Sequence, residues 1–164
     1  KKGDYDNAVA YLTKSIDAKD KKTMDDYDNL GTLYADIAAS KTKAGDNAGA
    51  ADAFKKADEV FAKMIEEFPN YKNYGNYMRA QVNANLDPDS KKGLALPYYD
   101  ELANSLESKA ERAASETQML KQAYFYLMVY QFNIKKDKAS AKEYAAKLLQ
   151  IDPENEAAKQ VQKL

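Results

Sequence analysis

The chain has 164 residues, 45% of them hydrophobic and 31% charged, with a net charge of -1. A balance so close to neutral gives no pull toward nucleic acid or an anionic membrane surface. The absence of both Cys and His removes thiol nucleophiles, disulfides, imidazole bases and the usual zinc sites, and no cofactor is expected. No apolar run approaches the ~20 residues that span a bilayer. The longest, Ala123 to Tyr130, reads as a buried helix. A chain without Cys suits reducing and oxidising compartments alike. The first residue is Lys and the pattern is already under way, which predicts a piece of a longer protein whose missing N-terminus held any targeting signal.

Lys2-Gly3-Asp4-Tyr5 reads as a turn entering a helix, with Asp4 as its cap. Ala8, Leu12 and Ser15 follow in small, large, small order along one face. The helix from about Asp6 to Ala18 has no preceding partner, so Val9, Leu12 and Ile16 are expected to lie partly uncovered. Such a face tends to frame a contact with another chain, so fraying there or self-association through it is expected. Thr23-Met24-Asp25-Asp26 is a capped start, Thr first and an acid three later. The helix after it runs to about Ser40, and Lys41 to Gly49 reads as a turn with Gly45-Asp46-Asn47 at its tip.

The next apolar set, Ala50, Ala53, Phe54, Ala57, Phe61, Met64, Ile65 and Phe68, has helical spacing and ends before Pro69. Tyr71, Tyr74, Tyr77, Met78 and Gln81 mark a further helix, and Asn83 to Gly93 its turn. Ala95, Tyr99 and Leu102 lead a helix to about Leu106, with Pro97 near its start, where a missing N–H costs little. Ser108 to Ala114 reads as a connector, and Ser115-Glu116-Thr117-Gln118 as a capping box. The helix to about Asn133 is the most apolar in the chain. Lys136-Asp137-Lys138 is a turn, Ala141, Ala145 and Leu148 lead to Pro153, and Glu154 to Leu164 is a short amphipathic end.

Tyr27-Asp28-Asn29-Leu30-Gly31-Thr32-Leu33-Tyr34 stands out. Tyr27, Leu30, Gly31 and Tyr34 share one helical face. A Gly inside a helix costs about 0.5–1 kcal/mol against Ala, which predicts a second helix within backbone contact. This stretch resembles the first helix of the tetratricopeptide (TPR) repeat, W-x2-L-G-x2-Y, with Tyr for Trp. The second-helix pattern has two registers in the next helix, Ala50/Phe54 and Ala57/Phe61. Both fit if the two helices of this pair have each grown by seven residues, about 10 Å of helix with the apolar face turned only ~20°.

The resemblance implies an all-α fold, a right-handed superhelix of antiparallel helix pairs over the whole 1–164 chain. Residues 1–20 are a half repeat, 23–69 an elongated repeat, 70–107 a divergent repeat, 115–153 a repeat and 154–164 a capping helix. In such arrays first helices line a concave groove. That places Asp28, Asn29, Thr32 and Asp36 in it, then Lys72, Asn76, Arg79 and Asn83, then Tyr126, Tyr130 and Asn133. Asn29 falls where peptide-binding members hold a ligand's backbone or terminal carboxylate, and Lys72 where a clamp cation sits. Asn76 replaces the other clamp cation. Tyr126 and Tyr130 lie on a different face from Phe125, Met128 and Phe132, which suits either core or surface anchors. The groove passes from acidic through basic to aromatic, which suits a mixed-charge polypeptide with an apolar anchor.

Chemistry finds little support. Asp25-Asp26, Glu66-Glu67 and Asp100-Glu101 are adjacent on helices and do not face each other across a cleft. Asp87-x-Asp89 lacks the later ligands of a calcium loop. No G-x-x-x-x-G-K-[ST] run is present. The expected function is a non-catalytic scaffold that binds a protein or peptide. Alternatives are an assembly segment of a larger cell-envelope protein and a helical enzyme domain.

Overall fold

The computed structural model describes residues 5–164, and the turn with its Asp4 cap lies outside them. The described residues form eight α-helices and no strands. They are α1 Tyr5–Asp17, α2 Met24–Lys43, α3 Asn47–Glu67, α4 Lys72–Leu86, α5 Leu96–Glu107, α6 Ala114–Tyr130, α7 Lys138–Ile151 and α8 Glu156–Gln162. A 3₁₀ turn, Pro69–Tyr71, precedes α4, and a π-helical turn, Gln131–Lys135, extends α6. The helices make two compact units, one ending at Leu86 and one beginning at Asp87. The division falls inside the 70–107 stretch, with α4 in the first unit and α5 in the second.

In the first unit, α2 and α3 are the long helices, at 20 and 21 residues. Their turn is shorter than the expected Lys41–Gly49, because α2 continues through Lys43 and α3 starts at Asn47. Gly45 ends the helix with a left-handed φ of +79°, open to Gly without side-chain strain. Asp46 caps α3 by accepting the Gly49 N–H at 2.9 Å. At the other end of α2, Asp26 accepts the Thr23 N–H at 2.9 Å and the Thr23 hydroxyl at 3.0 Å, and pairs with Lys19.

Tyr27, Ile37, Ala38, Phe54, Ala57, Phe61 and Met64 form the core between α2 and α3. Gly31 is buried there, but the close approach is not to backbone. A Cβ on Gly31 would come within 2.6 Å of the Phe61 ring. The glycine therefore makes room for a ring. Gly75 repeats the device on α4, where a Cβ would meet the Ile65 side chain of α3 at 2.4 Å. Tyr74-Gly75 stands three and four places after Tyr71, the spacing of Leu30-Gly31 after Tyr27. An aromatic residue in the Leu position hides that match. Of the α1 residues expected to lie uncovered, Ile16 is buried, Val9 packs against the core and Leu12 is half-buried. Tyr11, which was not among them, is 76% exposed.

In the second unit α5, α6, α7 and α8 pack consecutively. Leu102, Leu106, Leu120, Leu127, Met128 and Leu148 are fully buried. α6 buries Leu120, Ala123, Tyr124, Leu127, Met128 and Tyr130 along one side. Its cap lies two residues before the expected box. Glu116 accepts the Ala113 N–H at 3.0 Å, so Ser115 sits inside the first turn. The carboxylate decides, because it reaches three residues back and Ser115 has no acid three places on. Ala145 is fully buried, and Tyr144 beside it packs its ring 6.4 Å from that of Tyr124.

Candidate functional site

The second unit carries an open pocket of about 400 Å³ along the α6 flank. Gln118, Lys121, Gln122, Phe125, Tyr126 and Val129 line it from α6, Tyr99 from α5, and Leu148, Asp152 and Asn155 from α7 and its exit. Residues 118, 122, 125 and 129 are three or four apart, so one helical stripe forms the floor. An aromatic ladder backs this stripe. Tyr99 and Tyr126 rings lie 4.6 Å apart, and Tyr126 and Tyr130 6.1 Å apart and nearly parallel. Phe125 stands outside the ladder and is 43% exposed. The far wall is fixed by polar contacts. Asn155 donates to Asp152 at 3.1 Å and caps α8 by accepting the Ala158 N–H. Lys121 approaches Asp152 at 3.7 Å.

Of the core and surface-anchor alternatives for the two α6 tyrosines, Tyr130 takes the core and Tyr126 lies between them. Tyr130 is buried, packed under Gly93, where a Cβ would meet its hydroxyl at 2.9 Å. Tyr126 is half-buried, and burial pushes its phenol up, partly offset by a hydrogen bond with Ser90. Phe125 is the exposed ring. A sequence signal for it exists, since Gln118 and Gln122, seven and three places earlier, are polar residues on the same face. Asn133 is exposed and borders a second, smaller recess with Met128, Phe132 and Val161.

In the first unit the predicted residues separate. Asn29, Thr32 and Asp36 are exposed along one strip of α2, and Lys72 is exposed on α4. Asp28 accepts the Tyr74 hydroxyl at 2.8 Å and so ties α2 to α4. Burial and this carboxylate push the Tyr74 phenol well above its ordinary range. Asn76 and Asn83 are buried, against the expectation that they line an open groove. Arg79 and Asn83 both engage Asp58 on α3. These residues hold helices together, because α4 turns that face toward α3.

Elsewhere, Glu107 takes hydrogen bonds from Tyr124 and Lys147, each at 2.7 Å. Burial alone would raise its carboxyl, but these donors hold it below the ordinary range. No His/Cys/Asp/Glu group of metal-binding form occurs among the described residues. Nor is any described helix long and apolar enough to cross a membrane.

The arrangement defines an all-α protein of TPR-like fold. The chain is similar to the C-terminal part of a TPR repeat-containing protein from Cytophaga hutchinsonii, with a TM-score of 0.76 and 29% identity. The match covers 99% of this chain and 55% of that one, so this chain spans about half its length. No family model matches the sequence, and no curated protein matches it.

Proposed function

We propose that the chain is a non-catalytic scaffold that binds a peptide segment of another protein on the α6 flank of the second unit. The observation that carries this is Phe125, an aromatic ring 43% exposed at a pocket of about 400 Å³. An exposed aromatic backed by rigid buried rings has the character of an interface anchor. Gln118 beside it offers an amide donor and acceptor to a peptide backbone, and Lys121 and Asp152 supply one charge of each sign at the rim. A mixed-charge segment with an apolar side chain fits this lining. The TPR-like fold supports the reading, since arrays of this kind generally serve protein interaction.

The experiment is selection of peptides from a random display library on the immobilised chain, followed by titration calorimetry of a selected peptide. Phe125→Ala is expected to weaken binding by about 2 kcal/mol while leaving the thermal transition close to the parent's. Tyr130→Ala, by contrast, is expected to destabilise the fold by about 3–5 kcal/mol, as a buried ring lost to a cavity. Unchanged affinity in folded Phe125→Ala moves the binding surface away from α6.

A further inference from the structure

We infer that the turn end of the second unit is a docking surface for an acidic peptide segment, received by Lys92, Lys136 and Lys138. This surface is separate from the α6 pocket and does not rest on it. Two loops build it, the one entering α5 and the one entering α7. They meet on Tyr130. Gly93 of the first loop lies against the Tyr130 hydroxyl. Lys135 of the second stands over the Tyr130 ring, 5.9 Å from its centroid. Lys91 and Lys92 flank Gly93, while Lys136 and Lys138 follow Lys135, and all five lysines are exposed.

The carboxylates at this end are already engaged. Asp87 is buried, and its Oδ2 accepts the N–H groups of Lys92 at 2.9 Å and Gly93 at 2.8 Å. Asp89 pairs with Lys91 at 3.1 Å. Asp137 caps α7, accepting the Ser140 N–H at 3.1 Å and its hydroxyl at 2.7 Å. Lys92, Lys136 and Lys138 have no ion-pair partner among the described residues.

The other long hairpin supplies an internal comparison. In the α2–α3 turn, Gly45 takes a left-handed φ of +79° and Asp46 caps the next helix. In the second unit, Lys136 takes the left-handed position with a φ of +57°, and Asp137 caps. A side chain there carries backbone strain that Gly avoids. Turn geometry alone favours Gly at 136. What Lys adds is an exposed charge, and a strained residue kept for its side chain points to a use for that side chain.

The partner follows from the pattern of charge. Asp89 and Asp137 are exposed among the lysines, so a uniformly anionic surface meets repulsion beside each attraction. A peptide places its carboxylates on the lysines and avoids the aspartates. The large exposed apolar side chains, Tyr5, Tyr11, Tyr71, Phe125 and Leu164, all lie outside these two loops, so neither loop offers one for entry into lipid.

The test uses the full chain with a short fluorescent oligo-glutamate peptide, and separately with phosphatidylcholine vesicles containing phosphatidylserine. The parent is expected to bind the peptide, with an affinity that falls as salt rises. Lys136→Gly with Lys138→Asn copies the Gly45-Asp46-Asn47 turn. It is expected to melt no lower than the parent and to bind about five-fold more weakly. Lys92→Ala weakens binding independently and leaves the α6–α7 turn untouched. Absence of peptide binding by the parent, unchanged affinity in both variants, or binding to the vesicles in preference to the peptide overturns the inference.

Discussion

Arg79 on α4 holds Asp58 on α3 with two parallel bonds, Nε to Oδ1 and Nη2 to Oδ2, each 2.9 Å long. Asn83, one turn further along α4, donates to the same Oδ1 at 2.7 Å and to the Arg79 carbonyl at 2.9 Å. The two charged side chains are only 22% and 21% exposed. A planar guanidinium matched to a carboxylate in this way is a helix clamp, which is why a residue suited to a binding groove is committed to the fold.

Arg79→Ala should therefore cost about 1–3 kcal/mol of stability, because it leaves a mostly buried carboxylate without its cation. Arg79→Lys should recover only part of this, since an ammonium cannot reproduce the two-point grip. Urea denaturation midpoints of the two variants check it. A midpoint unchanged in Arg79→Ala would show that the clamp adds nothing to the packing of α4 on α3.

A second prediction concerns Gly31. Adding a methyl group places it 2.6 Å from the Phe61 ring in a fully packed core. Gly31→Ala should cost about 1–3 kcal/mol through overpacking, and Gly31→Leu at least as much. Leu30 is only half-buried, so Leu30→Ala should cost less than the 2–5 kcal/mol of a fully buried Leu. Combining Gly31→Ala with Phe61→Leu should recover part of the loss, giving a favourable coupling in a double-mutant cycle. Additive losses would place the conflict somewhere other than this ring.

The third concerns acid. The Lys19 hydrogen bond holds the Asp26 carboxyl below its ordinary value of 3.8, helped by the Thr23 N–H and opposed by burial. A depressed native value means that the stabilisation is fully present above the unfolded value. It is lost as pH falls through the folded one. Asp26→Asn should therefore be less stable than the parent near pH 7, with a gap that narrows as pH drops below about 4. Denaturant midpoints measured across that range decide it, and a gap independent of pH would remove the charge of Asp26 from the account.

Much of the helical framework was legible in the residues. Apolar residues three and four apart mark helix faces whatever they pack against, and Pro69, Pro97 and Pro153 bound where helices can run. The Tyr27 to Tyr34 stretch announced a close contact because Gly inside a helix needs a reason. Short-range detail was less secure. Asp46 and Glu116 each had more than one backbone partner within reach, and only the folded turn decides which N–H a carboxylate accepts.

The site was decided by tertiary structure. Arg79, Asn76 and Asn83 have the chemistry of groove residues, and no local pattern separates a polar side chain aimed at solvent from one aimed at Asp58 or buried between helices. Phe125, Tyr126 and Tyr130 are equally aromatic, and their spacing places them on different faces without saying which face is covered. Neighbouring helices settle that by contact. α5 brings Tyr99 onto Tyr126, the loop before it brings Gly93 onto Tyr130, and Phe125 keeps its exposure beside the pocket. Periodicity is a property of one helix and can be read along the chain. Exposure is a property of the neighbours, and residues distant in sequence supply it.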